Sequence, residues 1–327
     1  MTRGLILGKF LPPHRGHQYL IDFASRMVDE LTVQVCTVVR EPIPGRLRYE
    51  WMRSFFGGVN VVHNDDENPQ DPADDPEHFW DIWRDSLLAH TPGNRSPDYV
   101  FASESYGVRL AQELRAAFVP VDPKREVMPI SATLLRGQPL RYWEYLLPTA
   151  RPHFISRVAI VGPESAGKST LAPELARHFN TVHVPEYGRT YQENIRRDLV
   201  VTDMDCIIRA HICSEDAVAM HSNGLLIVDT EAVVSKMWSR VFFNTVSDAL
   251  EAQCLVDRYK LYLVATPHEE WDDDGWRLQP NIADRWKFCN EIVAELQRLN
   301  RTYALLTGSW KERRLQAIGA VEKLRHV

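Results

Sequence analysis

Two histidines, His14 and His17, stand three residues apart in the turn that follows the first apolar run of the chain, residues 4–8. Imidazoles in such a turn can donate hydrogen bonds to phosphate oxygens while negative charge builds up in a transition state. Gly16 lies between them and would let a nucleotide approach the backbone closely. The turn therefore predicts phosphate chemistry that depends on positioning and charge stabilisation rather than on a nucleophilic side chain.

A second phosphate-binding pattern lies near the middle of the chain. Residues 162–170, GPESAGKST, fit G-x-x-x-x-G-K-[ST] at every fixed position, between an apolar strand and a helical pattern. In such a loop the backbone N–H groups point at phosphate oxygens, and the helix N-terminus adds partial positive charge. We expect Lys168 to reach the β- and γ-phosphates of ATP and Ser169 to hold Mg²⁺. The expected phosphate contacts are Gly162, Glu164, Ser165, Ala166, Gly167, Lys168, Ser169 and Thr170.

Two carboxylates follow apolar strands in the second half. Residues 225–229 form an apolar run that ends in Asp229, as expected of a buried strand that places one carboxylate near Mg²⁺. Glu186 follows a shorter strand and suits contact with ribose hydroxyls or metal-bound water. The sequence leaves open whether Glu186 instead pairs with Arg189 on the surface, and whether Asp229 also acts as a base.

The elements that must position these groups alternate along the chain. An apolar strand at 4–8 is followed by a helical pattern at 18–28 and a β-branched strand at 31–39, which is the opening of a parallel sheet. Two prolines in residues 147–152 predict a linker. We therefore expect an α/β fold with two domains, 1–148 and 156–327, each built on a parallel sheet.

Composition narrows the class of protein. The 327 residues are 44% hydrophobic and 25% charged, without an apolar run of membrane-spanning length or a signal-peptide pattern. The five cysteines are scattered and odd in number, which favours reduced thiols in a cytoplasm. A net charge of −6 indicates no general affinity for nucleic acid, and nothing in the composition excludes a homo-oligomer.

Several motifs together resemble one family. GKFLPPHRGH at residues 8–17 resembles the G-x-F-x-P-x-H-x-G-H motif of a class of nucleotidyltransferases, and ISATLLR at 130–136 resembles its partner I-S-x-T-x-x-R. EYGR at 186–189 and WDDDGWR at 271–277 resemble kinase segments of the same family. Over nearly its whole length the chain resembles the bifunctional nicotinamide-nucleotide adenylyltransferase/ribosylnicotinamide kinase family, the NadR type.

The resemblance implies a Rossmann-like nucleotidyltransferase domain followed by a P-loop kinase domain. The kinase would use ATP and Mg²⁺ to convert ribosylnicotinamide to nicotinamide mononucleotide, which the first domain would adenylylate to NAD. Further implied roles are catalysis by His14, His17, Arg136, Lys168, Asp229, Glu186 and Arg277, nucleotide contacts from Gly8, Lys9, Phe10, Gly16, Ser131 and Thr133, and nicotinamide or ribose contacts from Trp80, Trp83, Glu186, Tyr187, Trp271 and Trp310.

Two alternatives stay open on sequence grounds. The motifs indicate nucleotidyl and phosphoryl transfer, but they indicate less clearly which molecule accepts the transferred group. The first alternative is therefore an adenylyltransferase joined to a kinase that serves another cofactor route. The other is a regulator that senses NAD and ATP with little turnover. Family members often begin with a helix-turn-helix, but a strand at Gly4 leaves no room for one here, so we expect no DNA binding.

Overall fold

The computed structural model describes residues 1–268 and 278–325. Its contacts divide the chain into two compact units, Met1–His153 and Phe154–Val327. Each unit contains one five-stranded parallel sheet with helices between its strands, which confirms the predicted α/β fold. Single-turn 3₁₀ helices occur at Pro92–Asn94, Trp143–Tyr145 and Arg151–Phe154.

The first unit alternates strands and helices from its third residue. Its strands are β1 (Arg3–Gly8), β2 (Glu30–Cys36), β3 (Asn60–Asn64), β4 (Tyr99–Ala102) and β5 (Ala117–Pro120). Its helices are α1 (Arg15–Ser25), α2 (Gly45–Phe55), α3 (Phe79–Ala89), α4 (Tyr106–Glu113) and α5 (Ala132–Gly137). The strand order is β3-β2-β1-β4-β5, all parallel.

The order of this sheet determines where a ligand can bind. The chain first builds outward from β1 through β2 to β3 and then returns to β4 on the other side of β1. Such a reversal opens a crevice at the carboxyl ends of the two diverging strands. The histidine turn connects β1 to α1 at this edge. Ile6, Leu20, Ile21 and Val33 are buried in one hydrophobic cluster beneath the turn and anchor the strand and helix that flank it.

The second unit begins at the strand that precedes the phosphate loop. Its strands are β6 (Ser156–Val161), β7 (Val182–Val184), β8 (Leu225–Asp229), β9 (Tyr259–Ala265) and β10 (Tyr303–Leu306). Its helices are α6 (Lys168–His178), α7 (Tyr187–Ile195), α8 (Val201–Ala219), α9 (Ala232–Phe243), α10 (Asp248–Leu255), α11 (Ile282–Arg298) and α12 (Trp310–Arg325). The strand order is β10-β9-β6-β8-β7, all parallel.

The centre of this second sheet is buried on both faces. Every residue of β8 is buried, as are the last four residues of β6, so both strands read as continuous apolar runs. They end side by side at the carboxyl edge, with Ile160 paired to Asp229. The phosphate loop and Asp229 therefore start from neighbouring, rigid strand ends. Within the described part of the chain, no helix has the length and apolar character needed to cross a membrane.

Candidate functional site

The first unit has a cavity of about 650 Å³ at the carboxyl edge of its sheet. Its wall is formed by the β1–α1 turn, by α3 and by the start of α5. The structure places most of the residues expected in this site around that one cavity. They are Gly8, Lys9, Phe10, His14, Gly16, His17, Trp80, Trp83, Thr133 and Arg136.

The two histidines lie against each other with their side chains ordered by the backbone. Their ring centroids are 3.7 Å apart at an interplanar angle of 27°. His14 precedes α1, and its Nδ1 accepts the Gly16 N–H at 3.1 Å, while Nδ1 of His17 accepts the His14 N–H at 3.2 Å. Because Nδ1 is an acceptor in both rings, a neutral imidazole carries its proton on Nε2. Each ring therefore has an N–H available to a phosphate oxygen.

Burial keeps these imidazoles neutral. It lowers the pKa of His14 to about 3, and the positive charge of Arg125 contributes in the same direction. Burial also lowers the pKa of His17 well below its usual value, with His14 and Arg125 as smaller causes. Gly16 makes this close arrangement sterically feasible, because an added Cβ there would lie 2.9 Å from the His14 ring.

The histidine turn is supported by residues from the end of the same unit. Ser131 accepts the Leu134 N–H at 3.2 Å and caps α5, although it does not line the cavity. The supporting contacts are Arg136 Nη1 to the Leu11 carbonyl, Arg15 Nε to the Glu144 carbonyl at 2.9 Å, and an isolated antiparallel bridge between His14 and Leu146.

Aromatic side chains form the far wall of the cavity. Trp80 and Trp83 both line it from α3 and both are partly buried, so the structure does not favour one over the other. Trp83 donates its indole N–H to the Pro69 carbonyl at 2.8 Å, and the Arg109 guanidinium lies 5.9 Å from the ring of Trp80. Both indoles are thus held in place beside the space left for a planar ring.

Arg125 is a further cation that lines this cavity. In the sequence, the D-x-x-R pattern formed by Asp122 and Arg125 could have located it. The Asp122 carboxylate accepts three backbone N–H groups from residues 126–128, at 2.8 to 3.2 Å. This turn presents Arg125, whose side chain is 43% exposed, to the cavity. Arg125 is therefore well placed to meet a triphosphate.

The second unit has a smaller cavity of about 180 Å³ at the end of its central strands. It is lined by the phosphate loop, the start of α7, three residues of α8 and residues spread along the length of α9. The expected residues that line it are Glu164, Ser165, Ala166, Gly167, Lys168, Ser169, Thr170, Glu186 and Tyr187.

The phosphate loop has the backbone shape that its glycines predict. Gly167 has φ of +82° and directly precedes α6, whose N-terminus begins at Lys168. An added Cβ at Gly167 would lie 2.6 Å from the Trp310 ring. Lys168 donates its ammonium to the Pro163 carbonyl at 2.8 Å. Glu164 accepts the backbone N–H groups of Leu278 and Gln279.

Two carboxylates stand next to this loop. Asp229 is 1% exposed, and the hydroxyls of Ser169 and Thr230 hydrogen-bond to its carboxylate. Burial raises the pKa of Asp229, against the opposing charge of Lys168. Burial likewise raises the pKa of Glu186, which lines the cavity and has Lys168 and Asp229 as its main charged neighbours. The arrangement gathers hydroxyl and carboxylate oxygens around one lysine.

Arg189 of α7, part of the EYGR segment, lines the cavity beside Glu186. Helices α8 and α9 contribute further residues that the sequence analysis did not single out. Trp238 and Phe242 lie one helical turn apart on α9, with ring centroids 5.3 Å apart at 18°. This i, i+4 aromatic pair directly after a strand-terminal Asp is the signal that could have located them. The other such residues on the cavity wall are His211, Glu231 and Ser235.

Some expected site residues lie elsewhere. Gly162 begins the phosphate loop without lining the cavity, and Asp229 lies buried behind the wall. Trp310 packs on Gly167 and lines a separate shallow depression with Arg177 and Arg314. Arg285, near the start of α11, is 1% exposed and donates to the His268 carbonyl at 2.8 Å. Trp271 and Arg277 lie outside the described residues.

Comparison with known proteins gives relatives for the whole chain. Two trifunctional NAD biosynthesis/regulator proteins NadR, from Escherichia coli and Salmonella typhimurium, are 32% and 31% identical to it over 91% of this chain and 77% of theirs. A crystal structure of NadR protein in complex with NR has a TM-score of 0.84 at 22% identity, and covers all of this chain and 96% of that one. The AAA domain family model matches residues 157–313.

Proposed function

Because the chain belongs to the NadR family, we propose that its two units catalyse consecutive steps of NAD formation. The second unit phosphorylates ribosylnicotinamide with ATP, and the first unit adenylylates the resulting nicotinamide mononucleotide with a second ATP. The observation that carries this proposal is that each unit has its own cavity at the carboxyl edge of a parallel sheet, and each cavity has its own set of phosphate-directed groups. The products are NAD and pyrophosphate.

In the kinase site the chain supplies charge and position. Lys168 and the N–H groups at the start of α6 hold the transferring phosphate, and Arg189 adds a cation from the opposite wall. Glu186 lines the cavity, whereas the Asp229 carboxylate is already bound by two hydroxyls. Glu186 therefore accepts the proton of the attacking 5′-hydroxyl. Arg277, the lid arginine of the W-x-D-D-G-x-R segment, is proposed to reach the same phosphoryl group.

Oxygen donors in this site fit a hard divalent cation. The Ser169 hydroxyl and the Asp229 carboxylate are in contact, and burial raises the pKa of that carboxyl, as expected of an anion placed to meet a cation. We infer that these two residues hold Mg²⁺. Bound there, Mg²⁺ would neutralise part of the phosphate charge of ATP.

In the adenylyltransferase site the mononucleotide phosphate attacks the α-phosphorus of ATP and pyrophosphate leaves. The Nε2–H groups of His14 and His17 donate to the oxygens on which charge builds up. Arg125 and Arg136 balance the charge of the triphosphate, and Thr133 adds a hydroxyl. The side chains act as fixed donors, so no covalent enzyme intermediate is needed.

Aromatic pairs on the two walls are proposed to hold the pyridine ring. Trp80 and Trp83 take this role in the first cavity. In the second cavity Trp238 and Phe242 face Glu231 and Glu186, and this combination of π-faces and carboxylates suits a positively charged pyridinium. Tyr187 lies on the same wall, and Trp271 is proposed to cover the ring. Trp310 lies outside the cavity and packs beside Gly167, and it is proposed to contact ATP there.

The remaining parts of the proposal concern the setting of the enzyme. All five cysteines are free thiols in the structure, which supports a reducing, cytoplasmic location. The partners are the small-molecule substrates and products, ribosylnicotinamide, nicotinamide mononucleotide, ATP and NAD, without nucleic acid. A homo-oligomeric assembly stays a prediction.

The deciding experiment follows products by mass. Purified chain with ribosylnicotinamide, ATP and Mg²⁺ should yield NAD, and His17→Ala should accumulate the mononucleotide because adenylylation falls roughly 10²- to 10³-fold. Lys168→Ala should form nothing from the riboside but should still form NAD from supplied mononucleotide. Absence of mononucleotide from every sample would overturn the kinase assignment. Failure to convert supplied mononucleotide as well would favour another acceptor or a sensing role.

A further inference from the structure

The strand that carries Asp229 ends in an unusual turn. Thr230, the next residue, has φ of +70°, although it is β-branched and 7% exposed. A β-branched residue in the left-handed region is a clear outlier, with a cost on the order of 1–3 kcal/mol. Such a conformation persists only where surrounding contacts hold it. The turn directs the chain from β8 into α9 immediately beside the kinase cavity.

Two hydrogen bonds hold the Thr230 peptide units. The Thr230 N–H donates to the Ile160 carbonyl at 3.0 Å, which continues the pairing of β8 with β6. The Thr230 carbonyl is 3.1 Å from Nε2 of His211 on α8. A carbonyl only accepts, so Nε2 of His211 carries the proton. His211 is 4% exposed and lies on the cavity wall.

The imidazole is backed by a buried ionic cluster. Glu215, one helical turn along α8 and fully buried, has a carboxylate oxygen 3.8 Å from Nε2 of His211. That carboxylate accepts the Tyr259 hydroxyl and lies within 3.3 and 3.6 Å of the guanidinium groups of Arg157 and Arg258. Burial lowers the pKa of His211 to about 4. The ring is therefore neutral near pH 7 and has one N–H to give.

We propose that His211 is a positioning residue for phosphoryl transfer, whose Nε2–H holds the strained Thr230 turn and thereby directs the Asp229 carboxylate toward Ser169. Loss of this donor frees the Thr230 carbonyl, the turn relaxes to a less strained conformation, and Asp229 moves with it. A displacement of about 1 Å at a catalytic carboxylate can lower a rate by roughly 10²-fold. The inference rests on the proposed kinase function and goes beyond it by assigning a residue that contacts neither loop nor metal.

The test compares two substitutions that differ in one donor. His211→Gln keeps an N–H near the position of Nε2, whereas His211→Leu removes it. We expect His211→Leu to lower kcat for ribosylnicotinamide phosphorylation by roughly 10- to 100-fold with KM for ATP changed less than about 3-fold, and His211→Gln to stay within about 5-fold of the parent chain. His221→Leu, an exposed histidine just after the same helix, is the matched control and should have no effect.

A second background separates positioning from folding. Thr230→Gly removes the cost of the left-handed conformation and also the hydroxyl bound to Asp229. The effect of His211→Leu is therefore measured relative to the chain with Thr230→Gly alone, and it should lower kcat less there than in the parent chain. NAD formation from supplied mononucleotide reports on the other unit and should not change. Three outcomes would each overturn the role of His211. They are an equal loss of kcat from His211→Leu in both backgrounds, the same kcat for His211→Leu and the parent chain, and a kcat of His211→Gln as low as that of His211→Leu. Inactivity of the parent chain would instead count against the kinase itself.

Discussion

The protonation state of His14 and of His17 depends on a single hydrogen bond to each ring, which a backbone N–H donates. In both rings Nδ1 accepts such a group, so a second proton on the ring would have to displace a hydrogen bond as well as enter a buried site. The pair can then act as a fixed set of donors over a wide pH range. This property follows from the three-residue spacing and from Gly16, all of which are visible in the sequence.

The lowered pKa of His14 predicts a dependence of stability on pH. The unfolded side chain titrates near 6.5 and the folded one at about 3, so between these values the folded chain binds fewer protons. Stability from this group is therefore lost as the pH falls below about 6.5, by about 1.4 kcal/mol at pH 5.5. His14→Asn keeps an acceptor for the Gly16 N–H and does not titrate.

Urea unfolding of both chains at pH 7.5 and pH 5.5 measures this effect. The parent should lose about 1.4 kcal/mol more of its free energy of unfolding between the two pH values than His14→Asn does. His17 is present in both chains, and burial, the largest cause of its lowered pKa, acts on it in both. An identical loss in the two chains would mean that His14 is protonated to the same extent in the folded and unfolded states.

Sequence reasoning located residues within motifs better than residues between them. His14, Thr133 and Lys168 were identified because phosphate chemistry needs these types at these spacings, and the structure brings them to the cavities. Trp238 and His211 have no motif, and their place on the wall depends on how two helices cross behind the sheet. Trp310 has an aromatic ring suited to stacking, but it packs on Gly167 outside the cavity wall, and its role stays a prediction.

At the scale of elements, strands were easier to predict than the helices that connect them. The central strands β1, β6 and β8 are apolar runs that the sequence shows directly, and the parallel order of both sheets follows from the helices between their strands. Helix α8 did not stand out, because its buried face includes Asp203, His211 and Glu215 where periodicity requires apolar side chains. These three polar side chains form hydrogen bonds with residues outside the helix, such as Arg197, Thr230 and Tyr259. The local sequence of the helix does not show which residues these are.

Helix α2 gives a second case in which a charge points inward. Arg48 of this helix is fully buried and donates to the carbonyls of Lys9 and Ile43 and to the Glu41 carboxylate. Phe10, which follows Lys9, has φ of +46°. The Arg48 guanidinium of α2 thus binds the Lys9 carbonyl and fixes the start of the histidine turn.

Removal of this guanidinium should destabilise the first unit. Arg48→Leu leaves the Glu41 carboxylate, 7% exposed, with the half-exposed ammonium of Lys9 as its charged partner, and removes three hydrogen bonds of the guanidinium, so we expect a loss of about 3 kcal/mol in the free energy of unfolding. The double change Arg48→Leu/Glu41→Leu should recover part of that loss. Arg46→Leu breaks an exposed pair on the same helix and should cost less than about 0.5 kcal/mol. Equal effects of Arg48→Leu and Arg46→Leu in urea unfolding would contradict a structural role for the buried pair.

At the scale of the whole molecule, each unit has a hydrophobic core of its own. One cluster is built on Ile6, Val33 and their neighbours in the first sheet, and another on Val158 and Ile227 in the second. Two cores and two cavities imply that the units can respond separately to their ligands. The sequence prediction of two domains rests on the two prolines in residues 147–152, which interrupt the helical pattern before a new strand begins.

Ligands should therefore stabilise the units one at a time. NAD, as product of the first unit, and ribosylnicotinamide, as substrate of the second, bind only the folded forms of their units. At about 100 times its dissociation constant, each should add about 2.7 kcal/mol and raise one calorimetric transition by roughly 5–10 °C. His14→Asn should shift the transition that responds to NAD. A single transition raised by both ligands would contradict this separation.

The contacts that support the histidine turn also set an order of events during synthesis. The turn leaves the ribosome before Arg136, Glu144 and Leu146, which hold it and lie near the end of that unit. A nascent chain therefore carries both histidines for more than a hundred residues of synthesis before their supporting contacts can form. A translation product that stops before Arg136 lacks all three of these contacts.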